Sequence, residues 1–576
     1  MIKLLRYLRP YAIPVAAVLV LIFMQCMADL YLPTLMSDIV NKGITNGDVN
    51  YIMATGGRML LVALGGSACA ILAGYLSSHS SMGLGEILRE KIFTHVTRFS
   101  LHEIDKLGTP SLVTRSTNDV TQVQMFTLIM MRMIISAPIM AIGGIILAVS
   151  KDAGLSWVII VVIPLLAATI ITVAMKGFPL FRSIQKKIDK INLVLREGLT
   201  GVRVIRAFNR IEDEKGRFRD ASFDLMQTSI QVNRMMAALM PILMLVMNLT
   251  TVTIIWFGSL RIDRGTSNVG NMMAFLQYAM QILFSLLMAS LLFIMLPRAQ
   301  ASADRINEVL ATAPSIKDPE QARDTESARK GYIEFQNVTF SYHGAEEPAV
   351  SGITFAACPG EVTAIIGSTG SGKSTLINLI PRFYDVDSGS ILIDGVDIRE
   401  MSQKALRAKI GLVPQKAILF SGTIAENIRY GKRDADDAEV AKAAETAQAT
   451  EFISAMKDGF DSVIAQGGTN VSGGQKQRLS IARALVKKPE IYLFDDSFSA
   501  LDFKTDARLR AALRKETAEA TVLIVGQRVA TIMDADRIIV LDEGRIAGMG
   551  THKELYAACE VYREIVASQL SEEEIA

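Results

Sequence analysis

Six stretches of this chain stay apolar for about twenty residues at a time, near residues 11–35, 59–78, 127–149, 155–175, 236–260 and 271–296. Crossing ~30 Å of hydrocarbon takes about 20 helical residues. Hydrocarbon offers no hydrogen-bond partners, so such runs must satisfy their backbone internally, as helices. The first run is too long for a secretory signal, and more spans follow it. Past the last one the texture changes: short apolar runs alternate with charged helical segments, as in a soluble α/β domain. The chain therefore reads as an all-α six-helix transmembrane domain followed by an α/β domain.

Lysine and arginine orient the spans. The connection over residues 80–126 carries Arg89, Lys91, Arg98, Lys106 and Arg115, and the one over 176–234 is denser still. The turns around Lys42, Lys151 and Arg264 are short and nearly neutral. This positive-inside bias puts both long connections and both termini in the cytoplasm. Connections of that length, rich in helix formers, are expected to be helices that leave the bilayer, turn and return. Breaks at Leu107-Gly108-Thr109-Pro110 and Gly198-Leu199-Thr200-Gly201 mark the tips, which are well placed to dock into a soluble domain. The opening MIKLLRYLRP interleaves apolar and basic residues, as an amphipathic elbow helix on the inner membrane face that Pro10 ends. The expected segments are 1–10 elbow, 11–300 transmembrane domain, 301–330 polar linker and 331–576 soluble domain.

The soluble half carries the chemistry. Gly367-x4-Gly372-Lys373-Ser374 follows the apolar run Val362, Thr363, Ala364, Ile365 and Ile366 and precedes helical residues, the context of a P-loop. Glycines let backbone N–H groups close on phosphates, so Gly367, Ser368, Gly370, Gly372, Lys373, Ser374 and Thr375 form the candidate cradle. Lys373 would neutralise β/γ oxygens and the Ser374 hydroxyl would hold Mg²⁺. A second apolar run ends in Asp495 and Asp496, of which Asp495 is the metal-side acid. A net charge of +2 makes no case for nucleic acid as a partner. The four cysteines (Cys26, Cys69, Cys358, Cys559) are scattered without metal-ligand spacing.

Together the six spans, GSTGSGKST, Gln415 in LVPQ, VSGGQKQR, LFDD, SALD and IVLDEGRI resemble an exporter-type ATP-binding-cassette (ABC) half-transporter over essentially the whole chain. The resemblance implies an α/β P-loop NTPase nucleotide-binding domain that takes ATP and Mg²⁺. It implies that Tyr342 stacks on adenine, and that Ser374, Gln415 and Asp495 serve the metal. Ser472, Gly473, Gly474 and Gln475 would contact the nucleotide of a partner cassette, and Asp502 closes the SALD motif. The two tips would be the family's coupling helices. Two such halves make a twelve-span exporter, so the expected partners are a second half-transporter, the lipid bilayer of the cell membrane and an amphipathic small molecule.

Departures from the family pattern sharpen this. Where hydrolytic sites carry Glu the chain has Asp496, and where they carry a switch histidine it has Gln527. The acid is one methylene shorter, and a misplacement of about 1 Å can cost on the order of a hundredfold in rate. Glutamine has no imidazole to carry charge. Gln466 stands where similar exporters usually have Glu. With an intact signature and a blunted catalytic pair, the expectation is a heterodimer whose partner does most of the hydrolysis. The alternatives are a homodimeric exporter and an ATP-gated regulatory membrane protein. Methionines crowd the last two spans (Met236, Met240, Met244, Met247, Met272, Met273, Met280, Met288, Met295); they suit either packing and lipid contact or adaptable binding of apolar molecules.

Overall fold

The computed structural model describes residues 1–323 and 330–569, and the chain divides into two compact units. The first comprises Met1–Thr97 and Thr109–Thr312; the second comprises Arg98–Gly108 and the chain from Ala313 onward.

Among the described residues the first unit holds six helices long and apolar enough to cross a membrane: Ile2–Ile44, Val49–Val96, Thr109–Lys151, Ala153–Thr200, Ile211–Asp263 and Val269–Ala311. The second of them, at 48 residues, spans about 72 Å at 1.5 Å per residue. That is more than twice the hydrocarbon thickness. The long connections are therefore continued helix.

Three sequence expectations shift. Pro10 does not end the elbow: it sits in a 3-10 turn, Arg6–Tyr11, that runs directly into the helix Ala12–Asp38. A proline's missing N–H is no loss where the next helix begins. Gly198 lies inside a helix that continues to Thr200, and the break falls at Gly201. The linker also starts later than residue 301, because the last long helix continues to Ala311. Its polar composition hides an apolar stripe of Ala299, Ala303, Ile306 and Val309, all buried. The charged residues between them are engaged: Arg305 pairs with Asp119, and Arg115 meets Glu308 at 2.8 Å.

The second unit is α/β. Its strands are β1 (Ile333–Phe340), β2 (Val350–Ala357), β3 (Val362–Gly367), β4 (Ser388–Ile393), β5 (Val396–Asp397), β6 (Ile410–Val413), β7 (Gly422–Thr423), β8 (Val463–Ile464), β9 (Ile491–Asp495), β10 (Thr521–Val525), β11 (Arg537–Asp542) and β12 (Arg545–Gly550). The main sheet runs β12-β11-β3-β10-β9-β6, parallel except for the edge strand β12. An antiparallel sheet, β2-β1-β4-β5, stands beside it. The central strands β9 and β10 are buried at every position, as expected for parallel strands covered on both faces.

Candidate nucleotide site

In a parallel sheet, all strands end on the same side, and ligands bind beyond those carboxyl ends. Val525 of β10 is level with Ile365 of β3 and with Asp495 of β9. The P-loop, the two aspartates and Gln527 therefore leave the sheet along one edge.

The loop after β3 turns into the helix Lys373–Leu379 through Gly372 at φ 94°. A Cβ there would lie 2.6 Å from Val350 Cγ1 and 2.7 Å from the Ala349 carbonyl, so only glycine fits. Lys373 is buried, and its Nζ donates to the carbonyls of Gly367 (2.8 Å) and Ser368 (2.6 Å). Burial lowers its pKa, against the upward pull of Asp496 and Asp495. Ser374 Oγ donates to Asp495 Oδ1 at 2.9 Å. Burial raises the Asp495 carboxyl above its ordinary range, and the Ser374 bond offsets part of that. A hydroxyl and a carboxylate side by side at a phosphate cradle are hard oxygens suited to Mg²⁺, which takes few protein ligands and fills its shell with water and phosphate.

Asp496 is the hub of the site. Its backbone is left-handed, at φ 47°, a conformation that aspartate tolerates better than most residues. Its N–H donates to the Val525 carbonyl (3.1 Å), and Ser499 Oγ donates to its carbonyl (3.0 Å). The carboxylate oxygen Oδ2 accepts from Gln527 Nε2 at 2.8 Å and from Gln415 Nε2 at 3.4 Å. Burial raises this carboxyl too, with Gln415 and Ser499 working against it. Gln415 thus bonds to Asp496, beside the hydrogen-bonded pair of Ser374 and Asp495.

Tyr342 is 40% exposed, and its hydroxyl lies 3.1 Å from Thr375 Oγ1 of the P-loop. Phe340 and Tyr384 meet its ring edge-on, at 5.0 and 5.5 Å. Tyr384 belongs to no motif, and its aromatic character four residues beyond Ile380 was the only available signal. Gly370, at φ 87°, faces open space.

The signature stretch opens a different helix. Ser472 caps the helix Gly473–Leu485, and Ser472 and Gln475 close a reciprocal capping box. Ser472 and Gly473 are exposed, and a Cβ on Gly473 would meet nothing within 4 Å. That helix packs with Leu479, Ile481 and Leu485 in one apolar cluster, whereas the P-loop helix packs with Leu376, Ile377 and Leu379 in another. Asp502 is the N-cap of the helix Phe503–Glu516, accepting from the Thr505 N–H at 2.9 Å.

Residues 15–286 match the ABC transporter transmembrane region family, and residues 350–499 match the ABC transporter family. An ABC transporter ATP-binding protein of Mycobacterium tuberculosis is 43% identical, over 99% of this chain and 98% of its own length. This chain belongs to the ABC transporters. An ATP-dependent lipid A-core flippase of Chromobacterium violaceum is 31% identical over 93% of this chain and 92% of its own. A bacterial Atm1-family ABC exporter solved with ATP bound superposes with a TM-score of 0.80 at 26% identity, covering 97% of this chain and 98% of that one. This ABC half-transporter is a multi-pass plasma-membrane protein with a cytoplasmic cassette that binds ATP with Mg²⁺, an ATPase coupled to export.

Proposed function

We propose that this half-transporter works as one side of a heterodimeric exporter of amphipathic molecules, in which its own ATP site turns over slowly. The observation that carries this reading is the state of the Asp496 carboxylate. In a hydrolytic cassette the acid at this position is free to polarise water, and an imidazole faces the γ-phosphate. Here a shorter carboxylate is held by two amides, from Gln527 and Gln415. An amide accepts and donates but does not take up a proton near neutral pH. Lys373, Ser374 and Asp495 would still hold the triphosphate and Mg²⁺, so the site binds ATP and keeps it.

Ser472, Gly473, Gly474 and Gln475, which open a helix seated on another apolar core than the P-loop helix, support a need for a second cassette: they would cap the ATP held by the partner. The second cytoplasmic tip supports it as well, because the helix Val202–Ala207 has no buried residue in its own chain.

The lining of a cavity in the membrane unit supports the substrate reading. A cavity of about 430 Å³ is lined by Met133, Met140, Met247, Met280, Phe284 and Met288, with Gln281 and two serines. Among the described residues its lining holds no charged side chain. Flexible, polarisable thioethers suit apolar molecules of varied shape. Other methionines of the same spans, such as Met240 and Met244, are more than half exposed. A relative named for lipid A-core flipping is compatible with a lipid-like cargo.

The test is reconstitution in lipid vesicles, alone and with a second half-transporter from the same genome that carries Glu and His at the equivalent positions. The expected result is weak ATPase for the chain alone and vigorous, drug- or lipid-stimulated ATPase for the pair. In the pair, replacing the partner's Glu abolishes activity, whereas Asp496→Asn changes it less than twofold. Brisk hydrolysis by the chain alone would overturn the reading.

A further inference from the structure

Gln527 is held from behind by the end of the chain. The Val529 N–H donates to Gln569 Oε1 at 2.8 Å, and Gln569 Nε2 donates to the Gln527 carbonyl at 2.8 Å. One amide thus grips the loop on both sides of Arg528. The Val529 N–H opens the short helix Val529–Ile532, where backbone donors lack intrahelical partners, so an outside acceptor is required. Gln569 follows the helix Glu560–Ala567, whose Tyr562 and Val566 are fully buried. These two share an apolar cluster with Val529 and Ile532, and with Ala364 and Ile366 of β3. Tyr562 Oη is further anchored 2.8 Å from His552 Nδ1. The switch segment is therefore packed between the nucleotide-bearing strand and the C-terminal helix, and Gln569 sets its register.

We propose that Gln569 is a positioning residue for the ATP site: its amide fixes the backbone of Gln527 and so delivers the Gln527 side chain to Asp496. The inference rests on the role given above to Gln527. Both functions of the amide are needed. Glutamate at this position keeps an acceptor for the Val529 N–H but turns a carboxylate toward the Gln527 carbonyl, which needs a donor. Alanine removes both bonds. The clamp lies at the surface, so each bond has a modest net worth, and the C-terminal helix stays seated through Tyr562 and Val566.

The experiment uses the full-length chain in lipid nanodiscs, with a fluorescent ATP analogue and Mg²⁺ to read affinity, and ATP titrations to separate kcat from KM. Gln569→Ala and Gln569→Glu are each expected to shift the apparent nucleotide affinity or kcat roughly three- to tenfold, with thermal melting unchanged. In a Gln527→Ala background, Gln569→Ala is expected to add nothing further, because the clamp acts through Gln527. Native behaviour of both Gln569 variants would overturn the proposal. So would a full Gln569→Ala effect that persists without the Gln527 side chain, which would mark Gln569 as merely structural. Gln527→Ala alone tests the underlying reading. If it leaves the nucleotide response untouched, the role of Gln527 fails and the clamp falls with it; if it alters the response while the Gln569 variants do not, only the clamp fails.

Discussion

The two cytoplasmic turns between long helices look alike in sequence and differ in structure. The first forms the helix Leu101–Leu107, which groups with the cassette unit of its own chain. Ser100 and Glu103 close a capping box, Glu103 is buried, and Ser100 Oγ lies 2.9 Å from Ser315 Oγ. The His102 ring meets His343, the neighbour of Tyr342, edge-on at 4.9 Å. Burial and the charge of Asp105 push the Tyr384 phenol up to about 12. The second turn forms the helix Val202–Ala207, buries nothing, and leaves Leu199 and Phe208 75% and 73% exposed. Soluble surfaces rarely leave large apolar side chains grouped in water without a partner. The first tip is satisfied inside its own chain; the second leaves its large apolar side chains uncovered.

The largest expected effect falls on that bare tip. Phe208→Asp should reduce transport by the assembled exporter more than tenfold, while the stability of the isolated chain moves by less than about 0.5 kcal/mol, as for an exposed site. Transport at the native rate would erase the distinction between the tips.

The satisfied tip should behave in the opposite manner. Glu103→Gln is expected to weaken it locally by about 1 kcal/mol, read as faster amide exchange over residues 98–108 at pH 7. Burial works against ionisation of Glu103, but the bonds from Ser100 and Ser315 outweigh it and hold the carboxyl below its ordinary range. A depressed folded pKa means that the stabilisation is present above the unfolded value of about 4.3 and is lost as pH falls through the folded value. The native chain and the Glu103→Gln variant should therefore converge in exchange rate only once pH has fallen below the depressed folded pKa. A difference that persisted there would assign the effect to packing instead.

The smallest pair of effects has opposite signs. Gly108, at φ 75° with open space around its Cα, should lose roughly 1 kcal/mol on substitution by Ala, from backbone strain alone. Gly198 is helical, with nothing within 4 Å of an added Cβ, so Gly198→Ala should stabilise its tip by about 0.5–1 kcal/mol. Thermal melting of the two variants checks both signs at once.

The sequence pattern was most legible where backbone geometry admits few residues. The apolar run of β3 is a strand, the glycines that follow it form the turn into the helix Lys373–Leu379, and Asp495 closes β9, because close approach and strand ends dictate residue type. The stretch from Ala301 to Ala311 misled for the converse reason. Charge content there hides which face each residue occupies, and Asp119, which engages Ser302 and Arg305, lies more than 180 positions earlier in the chain. Asp496 and Gln527 were visible as letters, but their mutual hydrogen bond was not. Gln569 gave no signal at all, since its partners lie 40 and 42 residues away.

From its order of residues alone this chain is bound to cross a bilayer six times and to cradle a triphosphate, since hydrophobic length and glycine spacing act locally and tolerate few alternatives. Folding decided which acid is tied to which amide, which tip is covered, and what stands behind Gln527. Those are contacts between distant segments a few ångströms apart, and no local propensity encodes them.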